Sequence, residues 1–207
     1  MVTRVQVPPS ARSRRKRRRR RALTLAAYIV VVFGLAWFLE LRLPTTIIFV
    51  RHADVDQVMS QSLEQELNAA GLARADALAD FLEFVDGDSG PNAIYVSAAR
   101  RTQQTAEPLA RRLGIEPEIA DHYDVAGFMD TVLFRNKREI VVVVTHRDAI
   151  VPLVEELHGH QGIGEIAADD YDEIIFVVIP WFGKVKTFFF RYGAETPPRL
   201  PVSNESD

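Results

Sequence analysis

Cysteine is absent from all 207 residues, which excludes disulfide bonds and thiolate metal sites alike. Acidic side chains are nearly absent from the first 43 positions, where eleven Lys and Arg stand against Glu40 alone. Charge of either sign is absent between Ala22 and Leu39. There is no internal repeat, so a repeat array is excluded. The acidic pairs Asp169-Asp170 and Asp172-Glu173 lack the oxygen-rich spacing around a Gly turn that a calcium loop needs. They read as a charged lead-in to a strand, and neither a metal nor a cofactor is expected.

What stands at the amino terminus is a basic run, Arg12 to Arg21, succeeded at once by the uncharged stretch Ala22 to Leu39. At 1.5 Å per residue those residues reach about 27 Å, close to the roughly 30 Å hydrocarbon core, with Tyr28 and Trp37 placed near the interfaces. The reading is a transmembrane signal-anchor helix over 22–41 behind a basic tail over 1–21. The alternatives are a buried helix of the domain and a cleaved signal peptide, the latter with Gly34-Leu35-Ala36 as its small-x-small site, but that site abuts bulky Trp37-Phe38-Leu39. Abutment to an apolar run also makes the Arg cluster a topology signal rather than an RNA-binding or nuclear element. The positive-inside rule keeps the tail cytoplasmic and sends the chain beyond the helix across the membrane, into the periplasm if the cell is bacterial. The tail can also attract anionic headgroups. Beyond residue 43 the balance reverses to fourteen basic and twenty-seven acidic residues, a net of −13 within an overall −3. Nucleic acid is therefore not expected as a partner.

The remainder, 44–193, has the length of one domain, and the polar, Pro-bearing tail 194–207 reads as disordered. Pro44-Thr45-Thr46 reads as a linker into a strand over Ile47–Val50. Apolar residues at 67, 70, 72, 75, 78, 79, 82 and 85 fit a helix from Leu63 to Val85, with Arg74, Asp76, Asp80 and Glu83 outward. A turn over 86–91 leads to a strand over Ala93–Val96. A helix over Arg101–Leu113 comes next, in which Pro108 implies a kink or break and Gly114 the stop. Residues 115–127 show no period, Phe128–Arg135 looks helical, and Glu139–Val144 reads as a fully buried strand. A helix over Asp148–His158, a loop over 159–164, and strands over Ile174–Ile179 and Val185–Tyr192 joined as a hairpin complete the series. Strands alternating with helices imply a three-layer α/β/α domain with a mainly parallel sheet and an antiparallel edge hairpin.

Chemistry gathers at three strand ends. Ile47 to Val50 stops at Arg51-His52, Ala93 to Val96 leads through Ser97 to Arg100-Arg101, and Val141 to Val144 stops at Thr145-His146. Carboxyl ends of strands are where such sheets place ligand crevices, and guanidinium groups with imidazoles suit a phosphate. Charge spread over the equatorial oxygens of a transferring phosphoryl group is stabilised by fixed cations, here Arg51 and Arg101. An imidazole attacks phosphorus only with an unprotonated ring nitrogen, and neighbouring guanidinium charge keeps its pKa low. His52 is thus the candidate nucleophile.

Arg51-His52-Ala53, then Ser97-Ala98-Ala99-Arg100-Arg101-Thr102-Gln103-Gln104-Thr105-Ala106, then Thr145-His146 resemble the signature segments of the histidine phosphatase superfamily, also called phosphoglycerate mutase-like. Leu67-Asn68-Ala69-Ala70-Gly71-Leu72-Ala73-Arg74-Ala75 is similar to the segment heading that family's first helix. The resemblance spans about 45–193. It implies a metal-independent phosphomonoesterase in which His52 is the phosphate acceptor, His146 the second histidine that stabilises the phosphoryl group, and Arg51 and Arg101 the phosphate ligands. Many members take a proton donor from the segment after the second helix. Asp121-His122-Tyr123-Asp124 lies there without the usual Glu-x-x-x-Gly-Glu-x-x-Gly context, so Asp121 and Asp124 are the candidates. That departure, with Asp170-Tyr171-Asp172-Glu173-Ile174, resembles the short branch containing protein-histidine phosphatases and disfavours a mutase. Arg100 and Thr145 are read as further substrate contacts, Arg100 at the rim and Thr145 behind the pocket. Ser97 and Thr102 read as turn and cap residues, Asp54 and Asp56 as solvated loop carboxylates, and His122, His158 and His160 as structural. The expected partner is a phosphorylated small molecule or phosphoprotein. The alternatives are a non-catalytic membrane module that binds phosphorylated ligands, and a protein-phosphohistidine phosphatase at the inner leaflet.

Overall fold

The computed structural model describes residues 11–40, 43–56, 62–87, 89–159 and 170–193. The tails over 1–10 and 194–207, His160 and most of the loop over 159–164 lie outside the described residues. The chain divides into two units, 1–42 and 43–207. The first holds α1 (Ala11–Glu40), whose stretch Arg19–Phe38 is long and apolar enough to cross a membrane and is wholly exposed.

The second unit is a mixed α/β domain. Its elements are β1 (Thr45–Arg51), α2 (Ala69–Leu82), β2 (Ala93–Val96), α3 (Arg100–Leu113), β3 (Glu118–Ile119), α4 (Val125–Arg135), β4 (Ile140–Thr145), α5 (Arg147–Glu156), β5 (Glu173–Ile179) and β6 (Lys186–Arg191). The six strands form one sheet in the order β3-β2-β4-β1-β5-β6. Pairings among β3, β2, β4 and β1 are parallel, and those of β5 with β1 and of β6 with β5 are antiparallel. The central strands are apolar without alternation because both faces are covered. Ile47, Phe49, Val141 and Val143 pack with Phe128, Met129, Ile150 and Leu153 of α4 and α5. Ile48, Val50, Val142 and Val144 pack with Leu78, Leu82, Ala106 and Leu109 of α2 and α3.

Several boundaries differ from the sequence expectation, each for a local reason. Thr45 and Thr46 are strand residues, not linker, because they pair with Ile179 and Ile140. Helix α2 starts at Ala69 rather than Leu63, because the Asn68 side chain caps it by accepting from the Gly71 N–H at 2.8 Å. Leu63 to Leu67 are instead held by α3: Arg100 N donates to Leu63 O, and Leu67 N donates to the Gln104 side chain. Helix α3 runs on past Pro108, whose buried ring offsets the missing backbone bond. Gly114 ends it in the left-handed region at φ 66. The unpatterned segment contains the two-residue strand β3 and the start of α4, which is capped by Asp124.

Candidate active site

Parallel pairing brings the carboxyl ends of β1, β4 and β2 side by side, with Arg51 opposite Thr145 and Val96 opposite Val144. The chain after β1 is pinned to α3 through one hydroxyl. Thr105 Oγ1, fully buried, accepts from Ala53 N at 2.9 Å and donates to Arg101 O at 2.7 Å. His52 N donates to Thr145 O at 2.9 Å, tying the first motif to the third. Arg51, His52, Arg101 and His146, separated by up to 95 positions, are therefore gathered at one end of the sheet, and all four are buried.

Hydrogen-bond partners assign the two imidazoles opposite tautomers. His52 Nδ1 faces the Ala53 carbonyl at 2.9 Å, an acceptor only, so Nδ1 carries the proton and Nε2 the lone pair. His146 Nδ1 accepts from Arg101 Nη2 at 3.2 Å, so its Nε2 is protonated and donates to Ser97 Oγ at 3.0 Å. Ser97 passes the chain on to Thr102 Oγ1 at 2.9 Å, and Thr102 donates to Ala99 O. Ser97 Oγ also accepts from Ala99 N at 3.2 Å, the turn role expected of it, whereas Thr102 is not the cap: Ala99 occupies the N-cap of α3, which has no side-chain cap. The rings lie edge to face, 5.6 Å between centroids. Both histidines are pushed down to about 4, first by burial and then by the cations, Arg101 and Arg51 among them. Burial, not guanidinium charge as the sequence suggested, is the larger cause.

The cations are aimed by backbone and rings. Arg101 Nη1 donates to Ser62 O at 3.0 Å, and Arg51 Nη1 donates to Asp170 O at 3.0 Å with its guanidinium 3.9 Å above the Tyr171 ring. The Asp170 and Tyr171 wall is braced by Arg191, which pairs with Asp170 and Asp172 at 2.9 Å each. Tyr123 lies parallel to His146 at 6.4 Å and donates to Asp148 at 3.3 Å. Tyr123, Asp148, Tyr171 and Thr105 escaped the sequence reading. The quoted segments containing Tyr123, Tyr171 and Thr105 were the available signals, and for Asp148 only its place two residues after His146.

The other candidates divide. Asp121 accepts from Tyr123 N at 3.0 Å and Asp124 caps α4 at Gly127 N, so both carboxylates have local tasks. Arg100 is half-exposed against Glu66 at 3.5 Å. Thr145 is fully buried, and its Oγ1 has no partner among the described residues. Asp54 is half-buried rather than freely solvated and pairs with Arg74 of α2, while Asp56 is exposed and accepts from the Asn68 side chain. His122 is buried against Phe128 at 4.6 Å, and neither ring nitrogen has a partner among the described residues. His158 is exposed. A separate cavity of about 580 Å³, lined by residues of α3 and β3 including Arg100, holds neither imidazole.

Residues 47–123 match the histidine phosphatase superfamily (branch 1), a span that includes Arg51, His52 and Arg101. Over that span the chain is similar to the superfamily. His146 lies beyond the matched span and joins the site through β4. No curated protein matches the chain. Among solved structures, a protein histidine phosphatase SixA complexed with tungstate is 18% identical, with 70% of this chain and 96% of that chain covered and a TM-score of 0.57. The protein designated SixA from Agrobacterium tumefaciens is 21% identical, with 74% and 99% covered and a TM-score of 0.54. A mycobacterial glucosyl-3-phosphoglycerate phosphatase is 16% identical, with 73% and 99% covered and a TM-score of 0.54. These likenesses establish the fold.

Proposed function

We propose that the chain is a phosphomonoesterase acting through a phosphohistidine on His52, held at a membrane by Arg19–Phe38 with its domain on the non-cytoplasmic side. The observation that carries the chemistry is the bond from His52 Nδ1 to Ala53 O, which leaves Nε2 as a lone pair in a crevice containing two guanidinium groups. The phosphoryl group lies between Arg51 and Arg101, which balance its charge. His52 Nε2 attacks phosphorus, the Nε2–P bond forms as the P–O bond to the alcohol breaks, and the leaving oxygen takes a proton. The Nδ1–H stays on the Ala53 carbonyl and stabilises the charge that develops on the ring. Water then attacks phosphorus and gives its proton to the carboxylate left by the donor, as the P–Nε2 bond breaks, its electron pair returns to Nε2, and phosphate is released. His146 orients Arg101 through its Nδ1. Asp148, held by Tyr123 and acting electrostatically on both His146 and Arg101, is the carboxyl group best placed to supply the proton, ahead of Asp121, which accepts from Tyr123 N, and Asp124, which caps α4.

The SixA neighbour acts on protein phosphohistidine and the mycobacterial neighbour on a sugar-acid phosphate ester, so the substrate panel spans both. The full chain in detergent, without added metal, is assayed against phosphoproteins and small phosphate esters. Turnover is expected on at least one, with His52→Ala losing about a thousandfold or more and Asp148→Asn more than Asp121→Asn or Asp124→Asn. A chain that binds these ligands but turns over none of them is a binding module instead. A reporter fused after Asp207 and active only in the cytoplasm overturns the topology.

A further inference from the structure

The sheet has two ends, and the crevice uses only one. At the opposite end β1 begins, and the register places its neighbours there: Thr45 pairs with Ile179, Thr46 with Ile140, and Val178 with Lys186. The β5–β6 connection, 180–185, and the residues between α4 and β4 therefore flank the point where the chain enters the domain. Arg138 N donates to Thr45 Oγ1 at 2.9 Å and fixes that edge. The composition of this end is unusual for connections, which are ordinarily polar. Trp181 is 63% exposed, Phe182 85% and Phe134 76%. Lys137, Arg138 and Lys184 are exposed among them, with the Lys137 ammonium 5.2 Å from the Phe134 ring centroid.

We infer that this edge, led by Trp181 and Phe182, is a surface that seats in the interface of a lipid bilayer and turns the phosphate crevice away from it. The inference rests on the anchored reading proposed above. Aromatic rings flanked by cations have the chemistry of a headgroup layer, in which an amphipathic ring keeps its polar edge wet and its body in the acyl boundary. Covalent continuity selects the bilayer as occupant. Helix α1 ends at Glu40 and β1 starts at Thr45, so the connection can reach at most about 18 Å. The edge bearing Thr45 is thus the one the chain delivers to the membrane. β1 has seven residues, and at about 3.3 Å per residue it carries the crevice roughly 20 Å beyond that edge. Glu155 and Glu156 close α5 at the same end, so the rings, rather than net attraction to anionic lipid, dominate the contact.

The chain contains two tryptophans, and replacing Trp37 by Phe leaves Trp181 as the sole reporter. This variant is placed in lipid nanodiscs at one copy per disc, and Trp181 emission is quenched with iodide from water or with nitroxide lipids. Nitroxide near the headgroup is expected to quench about two- to threefold more than nitroxide at the acyl terminus, with iodide access cut by a similar factor relative to a free indole. Phe182→Ser is expected to restore iodide access without changing turnover of a soluble ester. Iodide quenching equal to that of free indole, with no effect of either nitroxide lipid, overturns the surface while leaving the anchor standing. Protection found only in discs with two copies assigns the surface to a second copy and also overturns it. Release of the chain from lipid at alkaline pH shows that the anchored reading has failed, and this inference with it.

Discussion

At the scale of single residues, the site depends on two histidines holding opposite tautomers. His52 is fixed by one backbone carbonyl, and His146 by a cation on one side and a hydroxyl relay on the other. Ser97→Ala removes the acceptor for His146 Nε2–H and frees the ring to exchange tautomers. Turnover is expected to fall about tenfold, and ¹⁵N spectra of labelled histidine are expected to change at His146 and not at His52. Equal changes at both rings would show that Ser97 acts on the fold and not on the relay. The residues of this unit were legible to unequal degrees. Arg51, His52, Arg101 and His146 stand in motifs that keep their own spacing. Asp148 stands in the first turn of α5, two residues after His146, whereas Tyr123 lies in the turn before α4 and reaches that histidine only through the packing of α4 beside α5. His122 illustrates the converse, since an isolated histidine in sequence gives no sign that it will be buried against Phe128.

At the scale of elements, the motif loops are positioned by close contacts with helices. Gly71 is required because a Cβ there would collide with the Asp54 backbone oxygen, two residues beyond His52. Gly71→Ala must push that loop off α2, at a cost of about 1–3 kcal/mol. Urea unfolding of the variant is expected to show that loss along with reduced turnover, and unchanged values for both would contradict the contact. The strands were readable because continuous Val and Ile runs covered on both faces have few alternatives. The strand β2 matched its expected bounds, and the hairpin matched in kind with ends shifted by a residue. Strand β3 was not readable, because two exposed residues carry no period. The start of α2 was misplaced because Leu63 and Leu67 extend the apolar pattern past a cap, Asn68, that only the bond to Gly71 reveals.

At the scale of the whole molecule, burial of histidine sets a limit on acid stability. His52, His122 and His146 are each pushed down to about 4 from 6.5, chiefly by burial. Unfolding restores the ordinary value, so between those limits the unfolded chain binds more protons than the folded one. Their contribution to stability is complete above about 6.5, declines as pH falls, and is lost below about 4. Thermal unfolding of the full chain without substrate is expected to be level above about pH 6.5 and to fall steadily from there to about pH 5, before carboxylates titrate. A level midpoint across that interval would mean that these rings are protonated in the fold. The division of the molecule into an exposed apolar helix and an acidic domain followed from charge counts alone. The convergence of three strand ends followed only from their parallel pairing. The most direct test of that convergence is rapid chemical quenching of the full chain during turnover of a ³²P-labelled substrate, with mapping of the bound label. The expected result is acid-labile phosphorus on Nε2 of His52, absent from His52→Ala. Turnover that proceeds with no labelled enzyme, or with the label on His146, would contradict it.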